Sequence, residues 1–331
     1  MITKKTVLIL GAGASMDYGF PSGRQLLNEI KDGISNMRKE LFGKLAEYEP
    51  IPDKISDFYD NLIRSDPLSI DAFLERLTDY IPLGKLAIVM KLYPQEIENK
   101  LYDQKSLHWY QYLFDRLSQN ASSPEEFGNN QLAIITYNYD RSIEHYLYIV
   151  FQTQYDLRKD ERKCAEIMRK IPIIHVYGSL GLLPWQENGI SVKPYGLKRV
   201  SSALMQSVIT TKDLPRKDFF NKRKAYNLQK DIEEASNNIK IIPEDKDTSE
   251  EFGKAIEQLR LAERIYFLGF GYHETNLRRL RMEDFKLKEP FGTCVGMAKT
   301  ELNAIKAKYK IRFSPPEIKI LEFLRDHASL D

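Results

Sequence analysis

The sequence predicts an α/β protein built on an open, doubly wound, mostly parallel sheet, Rossmann-like and interrupted by a helical insertion. Three observations predict it. Short apolar runs recur along the chain, each is bounded by Gly, Pro, Asn or Asp, and helical patterns follow several of them. Runs that are apolar without alternation suit strands buried on both faces, as in a parallel sheet covered by helices.

The runs are "TVLIL" (6–10), "LAIIT" (132–136), "IPIIHV" (171–176), "IKII" (239–242), "IYFLGF" (265–270) and "GTCVGMA" (292–298). Between the last of them, "TSEEFGKAIEQLRLAE" offers Thr248 or Ser249 as N-cap and sets Phe252, Ile256 and Leu259 at helical spacing. "KTELNAIKAKY" (299–309) is a second helix. The region from about 25 to 126 breaks this alternation and reads as helical throughout. In "SIDAFLERLTDYIP" (69–82), Ser69 can cap and Asp71 sits in the first turn. Ile70, Phe73, Leu74, Leu77 and Tyr80 share a face, and Pro82 is expected to end the helix. A less regular insertion spans about 181–235 and contains a basic stretch (212–230), read as solvated surface. The expected organisation is one domain over 1–331, with a core of about 1–24, 127–180 and 236–331.

Composition narrows the function classes. With 331 residues, 42% of them hydrophobic, the chain can bury a sizeable core, and a net charge of +2 gives no general attraction for nucleic acid. Cys164 and Cys294 stand 130 positions apart without Cys or His neighbours at metal spacing, so a four-cysteine zinc site cannot be built and no metal is expected. Sparse cysteines suit a reducing cytoplasm. No run approaches ~20 apolar residues, so no membrane span is expected.

Four of the apolar runs end in loops that carry polar side chains. After the first, Gly11 and Gly13 let the backbone approach a ligand, and the turn amides with Ser15 can receive a pyrophosphate. The same residues also fit a tight turn without ligand. "TYNYDRS" (136–142) places Asn138 and Asp140 at a strand's carboxyl end, where open α/β sheets bind ligands. An Asx turn with Asp140 as the N-cap of the next helix is the alternative. In "IIHVYGSLG" (173–181), His175 and Tyr177 are expected on one side of a strand. His175 is either a general base near neutral pH or a satisfied core histidine. "FLGFGYHETN" (267–276) adds Gly269, Gly271, His273 and Asn276. Together these loops make a nucleotide site at one edge of one sheet.

"GAGAS", "GFPSGR", "TYNYD", "HVYGSLG" and "LGFG", in this order, resemble the sirtuin fold, and more closely the sirtuin-like domains of bacterial anti-phage defence proteins. The resemblance covers nearly the whole chain. It implies NAD as substrate, held by Gly11, Ala12, Gly13 and Ser15, by Pro21 and Arg24, and by Gly269, Gly271 and Asn276. It implies cleavage of the nicotinamide–ribose bond beside Asn138, His175, Asp140 and Tyr177. The departures matter. Deacylases of this fold carry a cysteine zinc module, which is missing here, and a phenylalanine that screens the ribose where this chain has Gly23. Their catalytic histidine immediately precedes a glycine; here Tyr177 does, and His175 lies earlier, so either could assist the nucleophile.

The expected function is therefore an NAD glycohydrolase, an anti-phage defence effector that depletes NAD when triggered. The alternative is a sensor that binds NAD or ADP-ribose without turnover and signals to a partner. Protein deacylation is disfavoured by the cysteine count. A homo-oligomer with a separate sensor or ATPase partner is expected, because a chain able to destroy NAD needs restraint.

Overall fold

Five residues, Thr6–Leu10, four of them apolar, are all buried and form an interior strand, β1, of a six-stranded sheet. The computed structural model of the chain describes residues 1–33, 53–102, 105–186, 192–196, 230–241 and 249–331. The other strands are β2 (Leu132–Thr136), β3 (Ile173–His175), β4 (Arg264–Leu268), β5 (Phe291–Gly292) and β6 (Arg312–Phe313). Their order is β3-β2-β1-β4-β5-β6 and every pairing is parallel. The protein is thus α/β with a Rossmann-like sheet flanked by helices, and the strand order reverses between β1 and β4.

Register decides where the loops meet. Leu10 pairs with both Thr136 and Leu268, and Thr136 pairs with His175. The loops that begin at Gly11, Tyr137, Val176 and Gly269 therefore leave the sheet at one level of one edge.

Among the described residues between β1 and β2 the regular elements are helical, and several starts are chemically marked. Ser22 and Gln25 cap the helix over 23–33 reciprocally, side chain to backbone amide in both directions. Ser69 accepts from the Ala72 amide at the start of Ile70–Arg76. That helix stops at Arg76, earlier than its periodicity predicts, and a 3₁₀ turn follows. Pro82 does not end it. It sits in the first turn of the next helix, Ile81–Leu92, where its missing N–H has no intrahelical partner to lose.

Farther along, Ser249 caps Glu250–Leu261, which turns Phe252, Ala255, Ile256 and Leu259 into the core, while Thr248 lies outside the described residues. Lys299–Tyr309 is helical over the span its sequence predicts. The described residues of "IKII" (239–241) do not join the sheet: Ile239 makes an isolated antiparallel bridge to Gly178. "GTCVGMA" contributes only its first glycine to β5. Most of the basic stretch 212–230 lies outside the described residues. Among the described residues, no helix is long and apolar enough to cross a membrane.

Candidate functional site

The glycine break after β1 is built for contact between two loops. Gly11 donates to the Leu268 carbonyl at 3.1 Å, and Gly13 donates to that of Gly269 at 3.0 Å. A Cβ on Gly11 would lie 2.6 Å from the Gly269 oxygen, and one on Gly13 would lie 2.8 Å from the Gly269 Cα. Gly269 itself has φ +59°, and a Cβ there would meet the Ala14 nitrogen at 2.4 Å. These glycines are required by the close approach of the two loops that flank the switch point.

This approach occupies amides that the sequence leaves available for a phosphate. Those of Gly11 and Gly13 go to the β4 loop, and those of Ala14 and Ser15 close 3₁₀ turns onto Gly11 and Ala12. The Ala12 amide has no backbone partner among the described residues. The first α-helix begins only at residue 23, after two 3₁₀ turns. Its dipole is therefore displaced from the glycine loop. Arg24 extends toward the Pro67 carbonyl at 3.4 Å, and the space around a Cβ on Gly23 is open. Around Gly271, a Cβ would find only the His273 ring, at 3.6 Å.

Asn138 joins the loop after β2 to the glycine loop. Its side-chain amide donates to the Gly11 carbonyl and to the Ser15 hydroxyl, both at 3.0 Å. Both N–H groups are thereby engaged, which orients the amide and leaves Oδ1 as its acceptor. Asp140 supports the arrangement from beneath. It accepts from the Ser142 amide at 3.1 Å and from the Ser142 hydroxyl, and the Ser15 side chain also stabilises its ionised form. Burial raises the Asp140 pKa all the same, and nearby Glu144 adds to the rise. Asp140 thus makes the Asx-type turn that launches the helix Ser142–Gln154, and it sits behind Asn138 at 6% exposure.

His175 is held at both ring nitrogens. Nδ1 lies 2.8 Å from the Asn138 carbonyl, and Nε2 lies 2.9 Å from Oε1 of Glu144 on the helix Ser142–Gln154. Burial works against its charged form, but the Glu144 carboxylate, the Asn138 carbonyl and Asp140 outweigh it and raise its pKa above the ordinary value. The chain turns immediately after β3, with Gly178 donating back to the His175 carbonyl. His175 and Tyr177 therefore reach different elements instead of sharing one side.

Tyr177 belongs to a second polar cluster. Its hydroxyl donates to Oδ1 of Asn276 at 2.8 Å and accepts from the Arg279 guanidinium at 2.6 Å. Arg279 also contacts Glu75 at 2.9 Å, on the insertion helix Ile70–Arg76. From the same helix, Asp71 accepts from the Tyr139 hydroxyl at 2.5 Å. Burial raises the Tyr177 pKa above the ordinary tyrosine value despite Arg279, so the phenol stays protonated. Asn276 is engaged further, its carbonyl accepting from Tyr137.

Of the residues that sequence singles out, the fold joins Gly11, Gly13, Ser15, Asn138, Asp140, His175 and Gly269 into one connected set. Tyr177 and Asn276 form the neighbouring one, and Pro21, Arg24 and Gly271 are not bonded to either. Sequence reading misses Glu144, Arg279 and Glu75. The available signal for Glu144 is the single carboxylate within the mostly apolar and aromatic "SIEHYLYIVF". Two surface hollows lie elsewhere, one of about 420 Å³ walled by Asp57, Asn61, Arg76 and Tyr80, the other at the amino ends of β1 and β2. The second is lined by buried Thr6 and Asn130, but neither gathers buried ionisable side chains as the carboxyl edge does with Asp140 and Glu144 beside His175, which is why that edge is the candidate site. Compared with known protein families and with curated proteins, the chain matches no family model and no curated sequence.

Proposed function

We propose that the protein is a sirtuin-like NAD hydrolase that cleaves the nicotinamide–ribose bond and acts as an anti-phage defence effector when triggered. The observation that carries this reading is the Asn138 side chain. It is fixed by Gly11 and Ser15 with its acceptor oxygen left over, at the carboxyl edge where Rossmann-like sheets bind dinucleotides. The ordered motifs of the sequence support the same substrate.

In the proposed reaction, the bond between the ribose anomeric carbon and the nicotinamide nitrogen breaks and nicotinamide leaves neutral with the bonding electrons. Positive charge develops on the ribose, as in other glycosidic cleavages. Water adds to the anomeric carbon and releases its proton to solvent. Asn138 Oδ1 accepts a hydrogen bond from that water or from a ribose hydroxyl, a well-aimed contact worth about 3 kcal/mol in the transition state. Asp140, through Ser15, keeps the amide aimed. With Cys164 and Cys294 both buried and far from zinc-module spacing, water is favoured over an acyl-lysine as the nucleophile.

The test is to incubate the activated protein with NAD and separate the products by chromatography. Nicotinamide and ADP-ribose without any peptide are expected; turnover only with an acetylated peptide points to deacylation instead. One observation favours a second reading, a sensor that binds NAD or ADP-ribose without turnover: both nitrogens of His175 are already engaged. Saturable binding without product, even with a partner present, selects that reading. We place the activity in the cytoplasm, in a homo-oligomer restrained by a sensor or ATPase partner. Light scattering with and without added partner, alongside the activity assay, tests this.

A further inference from the structure

We propose that Glu144 is a positioning residue that holds His175 as an imidazolium, so that His175 braces the Asn138 loop as a proton donor at both nitrogens and takes no proton from water. Nδ1 faces a backbone carbonyl, which can only accept, so that nitrogen carries a hydrogen. Nε2 faces a carboxylate oxygen at 2.9 Å, and the ordinary state of such a pair is N–H donating to an ionised carboxylate. No ring lone pair is left to accept a proton.

The surroundings agree. Glu144 is 1% exposed, and the hydrogen bond of its Oε1 is with His175, while Oε2 has no partner among the described residues. The charged and titratable groups facing the pair come from several elements. Asp140 stands beside the ring on the loop after β2. Arg141, His145 and Tyr195 feel the Glu144 charge, and Arg141 is itself neutralised by Glu96. Raised histidine basicity is the expected result of one buried carboxylate at contact distance.

The proposed chemistry supplies a reason for such a pair. A reaction that builds positive charge on a ribose is opposed by a lone imidazolium nearby. Pairing it with Glu144 cancels that charge while keeping a charge-assisted hydrogen bond on the Asn138 carbonyl, roughly twice as strong as a neutral one. This consequence rests on the hydrolase reading; the protonation state does not.

The experiment combines spectroscopy and kinetics. Ring-¹⁵N-histidine labelling gives signals from 5 histidines, and His175 is identified by the one lost in His175→Gln. In the wild type, both His175 nitrogens should remain protonated from pH 6 to pH 8. In Glu144→Gln, which keeps the shape, the ring should titrate at least one unit lower and be neutral at pH 8, nearer the ordinary value of about 6.5 or below it. NAD turnover by Glu144→Gln should fall about tenfold at pH 8 with KM changed less than threefold, and the deficit should narrow toward pH 6. A neutral His175 in the wild type at pH 7.5 overturns the proposal, as does a Glu144→Gln ring that titrates unchanged. If no NAD is consumed even with the partner present, the hydrolase reading fails while the spectra still decide the state of His175. If Glu144→Gln does not fold, the wild-type spectra alone decide it.

Discussion

Gly13 and Gly269 touch through their backbones. The Gly13 amide donates to the Gly269 carbonyl at 3.0 Å, and neither residue has room for a Cβ. The glycine loop is thus bound into the fold before any ligand is considered.

It follows that Gly269→Ala should destabilise strongly. The new methyl would meet the Ala14 nitrogen at 2.4 Å, in a backbone conformation with φ +59°. A loss of about 1–3 kcal/mol or more is expected from overpacking against backbone. Gly23→Ala is the contrast, since nothing lies within 4 Å and the position begins a helix. It should be neutral or stabilising by about 0.5–1 kcal/mol. Urea denaturation of the two variants checks the difference without any substrate.

Asn138→Ala removes both donors that link the loops after β1 and β2. A cost of about 1–2 kcal/mol in stability is expected, together with a loss of roughly 10²-fold or more in NAD turnover. Asn138→Asp should be worse for stability, because it sets a carboxylate against the Gly11 carbonyl. Denaturation curves and product analysis on the same preparations separate folding from chemistry. A large fall in turnover with folding preserved supports the assignment; unchanged turnover removes Asn138 from the reaction.

The Arg141–Glu96 pair is fully buried, bonded at 2.9 and 2.5 Å, and Arg141 also holds the carbonyls of Lys193 and Pro194. Truncating either partner leaves an uncompensated buried charge, so Glu96→Ala should cost about 3–5 kcal/mol. Arg141→Met combined with Glu96→Leu should cost less than the sum of the single changes. A double-mutant cycle in urea measures this coupling. Strict additivity of the two losses contradicts it.

Asp71 titrates against the fold. Burial raises its pKa, opposed by the Tyr139 hydroxyl bond and by His273. A carboxylate with a higher pKa folded than unfolded binds more protons in the folded state between the two values. Stability therefore falls as pH rises from the ordinary aspartate value of about 3.9 through the folded value. Asp71→Asn keeps an acceptor for Tyr139 but cannot ionise. Its stability relative to the wild type should climb across that window and stay ahead at pH 7. Thermal melts of both proteins from pH 4 to pH 8 give the comparison, and parallel curves exclude the linkage.

Metal analysis provides a further check. Cys164 and Cys294 are each buried and unbonded to one another, and burial pushes the Cys164 thiol up to about 12, away from the thiolate that zinc requires. Elemental analysis of purified protein should find no stoichiometric zinc. A tightly held zinc ion restores the deacylase architecture.

The central strands and the polar residues that follow them are legible in the sequence. β1 and β2 lie on the residues their apolar runs predict, because strands buried on both faces leave an unbroken apolar signal. β5 and β6 have two residues each, too short to carry any pattern, and Arg312 is exposed. Pro82 reads equally well as a stop or a first-turn residue, and only the break at Leu77 decides between them. At the site, Asn138, Asp140 and His175 were legible because polar groups at or just after the end of an apolar run are conspicuous. Their partners were not. Glu144 is 31 residues from His175, and Arg279 is 204 residues from Glu75. Such contacts arise from helix packing across the sheet, which local periodicity does not encode. Tertiary structure alone decided that Gly13 serves Gly269, that Asn138 keeps only its oxygen, and that both nitrogens of His175 are engaged. Each depends on the distance between loops brought together by strand register.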